Sequence, residues 1–390
     1  MLTIIITENC TDENPKLNIN FINSITKDCT PDDLQLDFIL NLPIEKFHLH
    51  EIDYLFIHKD SSFNVPNNYL FINSHPWFNE IESYFIYQNN LNTVLQEYQY
   101  LNCLQRILNE GEEVNDRTGI GTLSVFDMNM LFDIKVLNPN DDPLNHQYEL
   151  PIFTTKNLFF RGIIVELLWF LNGHTNTKLL AEQNVHIWDG NTSRQALDGL
   201  GLDYEEGELG PGYGHQWINW GGDWRTGEGG INQIETIIHT LKTDPRSRRM
   251  VLNAWNVGDL SKMALPPCHM MYIFKVTNDN VLNCKVILRA NDMFLGNPFN
   301  VVSASVLTIL LARAVNMIPG KVALSICDAH IYKNHIEQVK LQLTRTPKAI
   351  PYMTIDKNIN CYNDIKNLDF SDFKLSKYKS WPRIAAEMAV

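Results

Sequence analysis

The run Leu265-Pro266-Pro267-Cys268-His269 holds the group best suited to covalent chemistry. Two prolines make its backbone rigid and poorly helical. A thiolate attacks electron-poor carbon well when nearby positive charge lowers its pKa. Four arginines could supply that charge. Arg248 and Arg249 are adjacent, Arg289 ends an apolar strand pattern, and Arg117 lies in the turn-like Asn115-Asp116-Arg117-Thr118-Gly119. Arginine forks also match phosphate oxygens two at a time. Alone, a Cys-His pair is more often a buried structural cysteine, and scattered arginines are as often surface ion pairs.

Three further positions carry usable polar groups. Glu166 lies between Ile163-Ile164-Val165 and Leu167-Leu168-Trp169. A carboxyl on so apolar a helix has its pKa raised by burial, which suits proton shuttling near neutrality. Asn300 opens an apolar helix after Asn297-Pro298-Phe299. Its amide offers a donor and an acceptor, the complement of a pyrimidine edge with N3–H and O4. The same place also suits a helix cap. His330 and Tyr332 stand two apart, so on a strand they share a face, where both could bond a sugar hydroxyl.

The elements that must position these groups are legible from about Tyr98 onward. Leu101, Leu104, Ile107 and Leu108 follow a helical period that Gly111 stops. Gly162–Leu171 is a second apolar helix, Ile234, Ile237, Ile238 and Leu241 mark a third, and 299–314 is a long buried one. Stretches 250–255, 271–276 and 281–289 read as strands. Helices and strands mix without a regular βαβ repeat, which predicts an α+β fold. The acidic, glycine-rich stretch 203–230 contains loops. Residues 1–92 differ: short apolar runs are broken by Asn, Asp and Pro, with a helix expected at 34–42 and a strand at 69–73. They form an N-terminal region of unknown function ahead of a catalytic domain spanning 93–390.

The 390-residue chain is 44% hydrophobic, which predicts a globular protein. A net charge of -13 argues against broad DNA or anionic-membrane binding. It leaves room for a small anion in a local arginine pocket. The seven cysteines form no CxxC pair, so no metal site is expected. Their odd number and the absence of a basic, leader-like start predict a reduced, cytoplasmic protein. No apolar run reaches membrane-spanning length.

Several segments, in order, resemble the thymidylate synthase family of the thymidylate synthase and pyrimidine hydroxymethylase superfamily. They are Asn115-Asp116-Arg117-Thr118-Gly119-Ile120-Gly121-Thr122, Glu166-Leu167-Leu168-Trp169-Phe170-Leu171, Ile187-Trp188-Asp189 and Leu209-Gly210-Pro211-Gly212-Tyr213-Gly214. Ser247-Arg248-Arg249, Ala264-Leu265-Pro266-Pro267-Cys268-His269 and Phe294-Leu295-Gly296-Asn297-Pro298-Phe299-Asn300 follow. Asp328-Ala329-His330-Ile331-Tyr332 and the closing Glu387-Met388-Ala389-Val390 complete the series.

The resemblance implies a mixed β-sheet packed with helices, one sheet face forming a homodimer interface. It implies conversion of dUMP to dTMP, with 5,10-methylenetetrahydrofolate giving carbon and hydride and leaving as dihydrofolate. Cys268 adds to uracil C6, Tyr213 and Glu166 handle protons, and His269 and Arg289 belong to the same catalytic group. Asn300 reads the base, and His330 and Tyr332 hold the 3′-hydroxyl. Arg117 and Arg289 grip the phosphate, joined by Arg248 and Arg249 from the partner subunit. Trp188, Asn191, Asp292, Leu295, Gly296 and Phe299 surround the folate, and Val390 closes over it.

The sequence departs from the family at a few places. Ala290 replaces a serine after the strand-end arginine, which predicts weaker dUMP binding. Ile287-Leu288 and Ile273 replace polar residues and predict a more apolar pocket floor. Gly212 stands for a valine beside Tyr213, and Asn157 for an arginine after Lys156. Two alternative functions compete: a dUMP hydroxymethylase of the same superfamily, and a non-catalytic nucleotide- or RNA-binding homologue. Asn300 disfavours a cytosine-specific hydroxymethylase, which presents aspartate there. Binding of the chain's own mRNA is left open by the sequence.

Overall fold

The computed structural model describes residues 2–6, 52–58, 69–72, 84–87, 92–139 and 141–388. By contacts the chain divides into two units, Met1–Leu95 and Gln96–Val390. In the first, strands β1 (Leu2–Ile6), β2 (Ile52–His58), β3 (Tyr69–Ile72) and β4 (Tyr84–Tyr87) form a sheet of order β1-β2-β4-β3. The strand expected at 69–73 is there as β3. The helix expected at 34–42 lies outside the described residues.

Helix α1 (Asn92–Glu110) leads into the second unit. It stops at Gly111, where any Cβ would lie 2.4 Å from the Ile107 carbonyl oxygen. Then come β5 (Glu112–Val114), β6 (Thr122–Asp133), β7 (Lys135–Leu137) and β8 (Gln147–Glu149). Five helices follow: α2 (Phe160–Leu171), α3 (Lys178–Ala181), α4 (Arg194–Gly199), α5 (Tyr213–Ile218) and α6 (Gln233–Thr243). Next are β9 (Val251–Asn253), β10 (His269–Val276), β11 (Val281–Asp292), α7 (Gly296–Ala314) and β12 (Ile318–Tyr332). The chain closes with α8 (Ile336–Leu343), β13 (Tyr352–Ile355), α9 (Tyr362–Lys366) and β14 (Phe373–Ser376).

A six-stranded sheet of order β5-β6-β12-β11-β10-β9 organises this unit. Only β11 and β12 pair in parallel, and α7 makes the crossover that such a pair requires. A smaller antiparallel sheet runs β14-β13-β8-β7. The fold is α+β, as the element pattern predicted.

Strand alternation gives the large sheet two unlike faces. In cross-strand register, Met130, Leu324, Val286 and Tyr272 form one row, and all four are buried. Helix α7 covers this face and is itself buried nearly all round, from Val301 to Ala314. Each fully buried Leu or Ile there contributes about 1.5–3 kcal/mol. The next row, Leu131, Ala323, Lys285 and Ile273, points the other way and is at least partly exposed.

Candidate active site

Cys268 stands immediately before β10, beside a register shift between His269 and Met271. Such bulges aim side chains at strand ends. Its backbone N–H donates to the Tyr213 hydroxyl at 2.7 Å, fixing the approach of the loop. Arg289, at the far end of the neighbouring strand, is held by the loop as well. Its Nε donates to the Pro267 carbonyl at 2.9 Å and its Nη2 to the Pro266 carbonyl at 2.8 Å. Nη2 also lies 3.7 Å from Cys268 Sγ. The prolines therefore offer two carbonyls that hold the guanidinium at the thiol. Burial pushes the Cys268 thiol up, and Arg289 and then Arg117 pull it back, with burial prevailing.

Glu166 projects from α2 and accepts a 2.7 Å hydrogen bond from the Trp188 indole N–H. Burial pushes its carboxyl up to about 7, against that bond. The rise expected from its apolar flanks is present, and it poises the group for proton exchange. Tyr213 is buried in α5, and burial keeps its phenol protonated far above neutral pH. Its oxygen accepts from Cys268, so its proton remains to donate elsewhere. His269 stacks on Tyr213 with ring centroids 4.2 Å apart. Burial drops its pKa to about 3, so the ring is neutral, and Nδ1 meets the Tyr272 hydroxyl at 3.0 Å.

Asn300 lies inside α7 rather than at its cap, and Asn291 determines its orientation. Asn297 Nδ2 donates to Asn291 Oδ1 at 2.7 Å, and Asn291 Nδ2 donates to Asn300 Oδ1 at 2.8 Å. The relay leaves the Asn300 NH2 and a second oxygen lone pair to read a ligand edge. Asn291 was not singled out in the sequence; its only signal was its place between Arg289 and Asp292. Asp292 Oδ1 accepts from the Phe294 and Leu295 N–H groups at 2.9 and 3.2 Å. These bonds fold the turn that presents Leu295, Gly296 and Phe299. At Gly296 a Cβ would meet nothing closer than 3.6 Å, so the shelf is open. Asn191 is half-buried in the turn after Trp188.

At the end of β12 the His330 and Tyr332 rings share a face, centroids 5.3 Å apart and edge-on. His330 Nδ1 lies 3.3 Å from Asp328 Oδ1, which also accepts from Ser124 at 2.7 Å. Burial works against the His330 imidazolium, and the Asp328 carboxylate outweighs it and raises the pKa. Arg117 is exposed on a turn that Asp116 ties through Thr118 and Gly121, with Gly119 and Gly121 at φ 75° and 80°. Arg248 and Arg249 are exposed between α6 and β9 and have no side-chain hydrogen bond or ion pair among the described residues. The fold does not bring them among the charges that act most on Cys268. Val390 lies outside the described residues.

Lys156 also went unnoticed in the sequence. It is 4% exposed and lies over the Phe294 ring, 3.5 Å from its centroid, with its ammonium bonded to the Phe294 carbonyl. Burial drops its pKa to about 7, against Asp292 and Glu97. Its segment is clamped by Glu97 of α1, whose carboxylate accepts from both the N–H and the hydroxyl of Thr154 and of Thr155, all within 2.7 Å.

Among known proteins, the thymidylate synthase family model matches residues 98–390. The thymidylate synthase of Herpesvirus ateles is 43% identical over 300 residues, covering 75% of this chain and 98% of the viral one. That of Saccharomyces cerevisiae is 43% identical over 310 residues, covering 76% and 97%. The chain belongs to the thymidylate synthase family.

A bifunctional dihydrofolate reductase-thymidylate synthase of Zea mays is also 43% identical, and the match spans 55% of its length. Residues before Tyr98 lie outside the family match. Among the described residues no helix is long and apolar enough to cross a membrane, and no group of His, Cys, Asp and Glu could hold a metal ion.

The family departures fall into two kinds. Ala290 pairs with Asp328 beside Arg289, at the site. Ile273 and Ile287 do not form the expected apolar pocket floor. In register they belong to the sheet face opposite α7, because β10 and β11 side chains alternate. Leu288 faces inward and is fully buried. At Gly212 the space of a larger side chain is taken by Leu209, whose Cδ2 would lie 2.7 Å from an added Cβ.

Proposed function

We propose that residues 93–390 form a catalytic domain that converts dUMP to dTMP. The single observation that carries this reading is the Cys268 thiol held 3.7 Å from a guanidinium that is itself fixed by two carbonyls. Family membership gives that thiol its partner, the uracil ring. Cys268 Sγ bonds to C6, and the ring electrons move toward C5 and O4. The Asn300 NH2 donates to O4 and its oxygen accepts from N3–H. A water held by Tyr213 and Glu166 takes the C5 proton, and Glu166, poised near neutrality, also carries protons at O4 and the folate. His330 and Tyr332 bond the 3′-hydroxyl.

Methylenetetrahydrofolate, when bound, supplies the one-carbon unit and the hydride. The residues present fit it. Trp188 and Asn191 flank one side, Leu295, Gly296 and Phe299 form an open shelf, and Asp292 Oδ2 remains free to bond a pterin. Val390 closes the site.

Arg117 and Arg289 hold the phosphate, and Arg248 and Arg249 join from a partner subunit. Their exposure and lack of side-chain partners support this, as does the half-exposed outer sheet face, where Leu131, Phe126 and Ile273 are 44%, 78% and 36% exposed. A two-fold homodimer that buries that face accounts for all of them. The chain acts in the cytoplasm, where its free thiols stay reduced.

The test is purified protein with dUMP and methylenetetrahydrofolate, following dihydrofolate absorbance and product mass together. Dihydrofolate and a methylated product support the reading. A hydroxymethylated product assigns the chain to the hydroxymethylases, and dUMP binding without any product assigns it to the binders.

A further inference from the structure

The chain's last described segment is fastened in two places of unequal strength. The first, from Tyr378 to Pro382, is heavily tied. Tyr378 donates to the Phe153 carbonyl at 2.8 Å and accepts from the Leu158 N–H at 3.1 Å. Trp381 donates its backbone N–H to the Thr154 carbonyl at 2.7 Å and its indole N–H to the Thr346 carbonyl at 2.8 Å. Arg345 and Lys348 lie over its ring at 5.7 and 5.1 Å, and Arg345 also donates to the Pro382 carbonyl.

The second place is a single bond. Among the described residues, the one hydrogen bond made by residues 383–388 is the Glu387 carbonyl accepting from His335 Nε2 at 2.7 Å. A carbonyl cannot donate, so Nε2 carries the proton. His335 is fully buried, and its Nδ1 has no partner among the described residues. The ring lies between two working parts of the site. Phe294 is 5.4 Å away by ring centroids, and its N–H bonds Asp292. Tyr332 is 5.9 Å away, edge-on, at the sugar-facing end of β12.

We propose that His335 is the latch of the C-terminal strap. Trp381 fixes one end of residues 383–388, and His335 sets where the other end settles. Because the ring touches both the Phe294 turn and the Tyr332 strand end, the strap reaches its working position only when both are in place. His335 is a positioning residue, and its role rests on the folate-and-nucleotide reading of the site.

Two variants separate hydrogen bonding from packing. His335→Leu keeps apolar volume and loses the donor, whereas His335→Gln places an amide N–H at similar reach. The readout is the rate at which carboxypeptidase removes terminal residues from the substrate-free protein. Loss of one net hydrogen bond speeds release from the Leu variant by about threefold to tenfold. The Gln variant returns toward the wild-type rate. In turnover, the Leu variant raises KM for the folate and lowers kcat, while dUMP affinity measured by calorimetry without folate stays unchanged.

A wild-type digestion rate in the Leu variant overturns the proposal, as does equal acceleration in both variants. A third measurement leaves the core untouched. In histidine-labelled protein the His335 Nε2 proton is protected from exchange, and in a chain ending at Ala385 it exchanges freely; equal protection in both overturns the latch. If the unaltered protein forms no dihydrofolate, the folate-and-nucleotide reading fails, while digestion and exchange still decide the latch.

Discussion

Replacing Trp188 with phenylalanine keeps an aromatic ring beside Glu166 and removes one indole N–H. That N–H donates to the carboxylate at 2.7 Å. Burial holds the Glu166 carboxyl up near 7, and the indole bond is what restrains it. The bond favours the ionised form, so its loss moves the pKa further upward. A hydrogen bond to a charged group is worth about 1.5–3 kcal/mol, and about 1.4 kcal/mol corresponds to one pH unit, so the shift is about one to two pH units. Water entering the gap would bring the shift toward the lower figure without reversing it. The assay is kcat against pH across neutral and alkaline conditions for wild type, Trp188→Phe and Glu166→Gln. The limb that disappears in Glu166→Gln belongs to this carboxyl. In Trp188→Phe that limb appears at higher pH. A limb that stays in place, or moves to lower pH, refutes the assignment of Glu166 as the proton carrier set by Trp188.

Cys268→Ala leaves the fold intact and reduces turnover to background, and the covalent dUMP adduct disappears from intact-protein mass spectra; full turnover would remove Cys268 from the mechanism. Mixing Cys268→Ala with Arg249→Ala chains under conditions that exchange subunits recovers part of the activity, since one site of the mixed dimer has both residues intact; no recovery, with mixed dimers present, counts against arginine sharing. Ala290→Ser tightens dUMP binding by about twofold to tenfold, the worth of one net hydrogen bond, read by calorimetry; an unchanged affinity shows that the missing hydroxyl is immaterial here. Glu97→Gln sets an NH2 group against donors from Thr154 and Thr155 and lowers stability by about 1–3 kcal/mol, read from denaturant midpoints; a loss well below that would mean the clamp is soft.

The large elements were legible because their signals are local. The helical period of Leu101, Leu104 and Ile107 and the stop at Gly111 predicted the end of α1, and the alternation of Leu282, Cys284, Val286 and Leu288 predicted β11. The nucleophile and its arginine were legible through motif order, not spacing, since Cys268 and Arg289 meet only across β10 and β11. What failed was the side-chain direction assigned to two strand residues, whereas the shared face expected of His330 and Tyr332 held. Ile273 and Ile287 were placed at the pocket floor because they stand where the family carries polar residues, but strand alternation turns them to the face opposite α7. Asn291, Lys156 and Glu97 were silent for a related reason. Their roles come from contacts with Asn300, Phe294 and the Thr154-Thr155 pair, which are remote in sequence or set by a turn. Glu97 lies just ahead of Tyr98, where the legible helical pattern begins, so the sequence reading did not reach it.

The protonation states around Cys268 point in one direction. Burial raises the thiol, raises Glu166 to about 7, holds Tyr213 protonated and holds His269 neutral. Each effect disfavours charge. The charge left in the pocket then belongs to its arginines and to the Asp328–His330 pair, in which the carboxyl is lowered and the imidazole raised. Arg289 is the cation fixed closest to the sulfur, and Nε and Nη2 are already committed to Pro267 and Pro266. That leaves Nη1 to meet a phosphate without giving up the position beside Sγ. A guanidinium does this because its donors are rigidly spread over one plane, whereas a lysine ammonium would have to choose between sulfur, carbonyls and phosphate. The two prolines ahead of Cys268 thus do more than stiffen a loop. Their carbonyls anchor the arginine, so the residues that make the nucleophile's backbone rigid also set the charge that activates it.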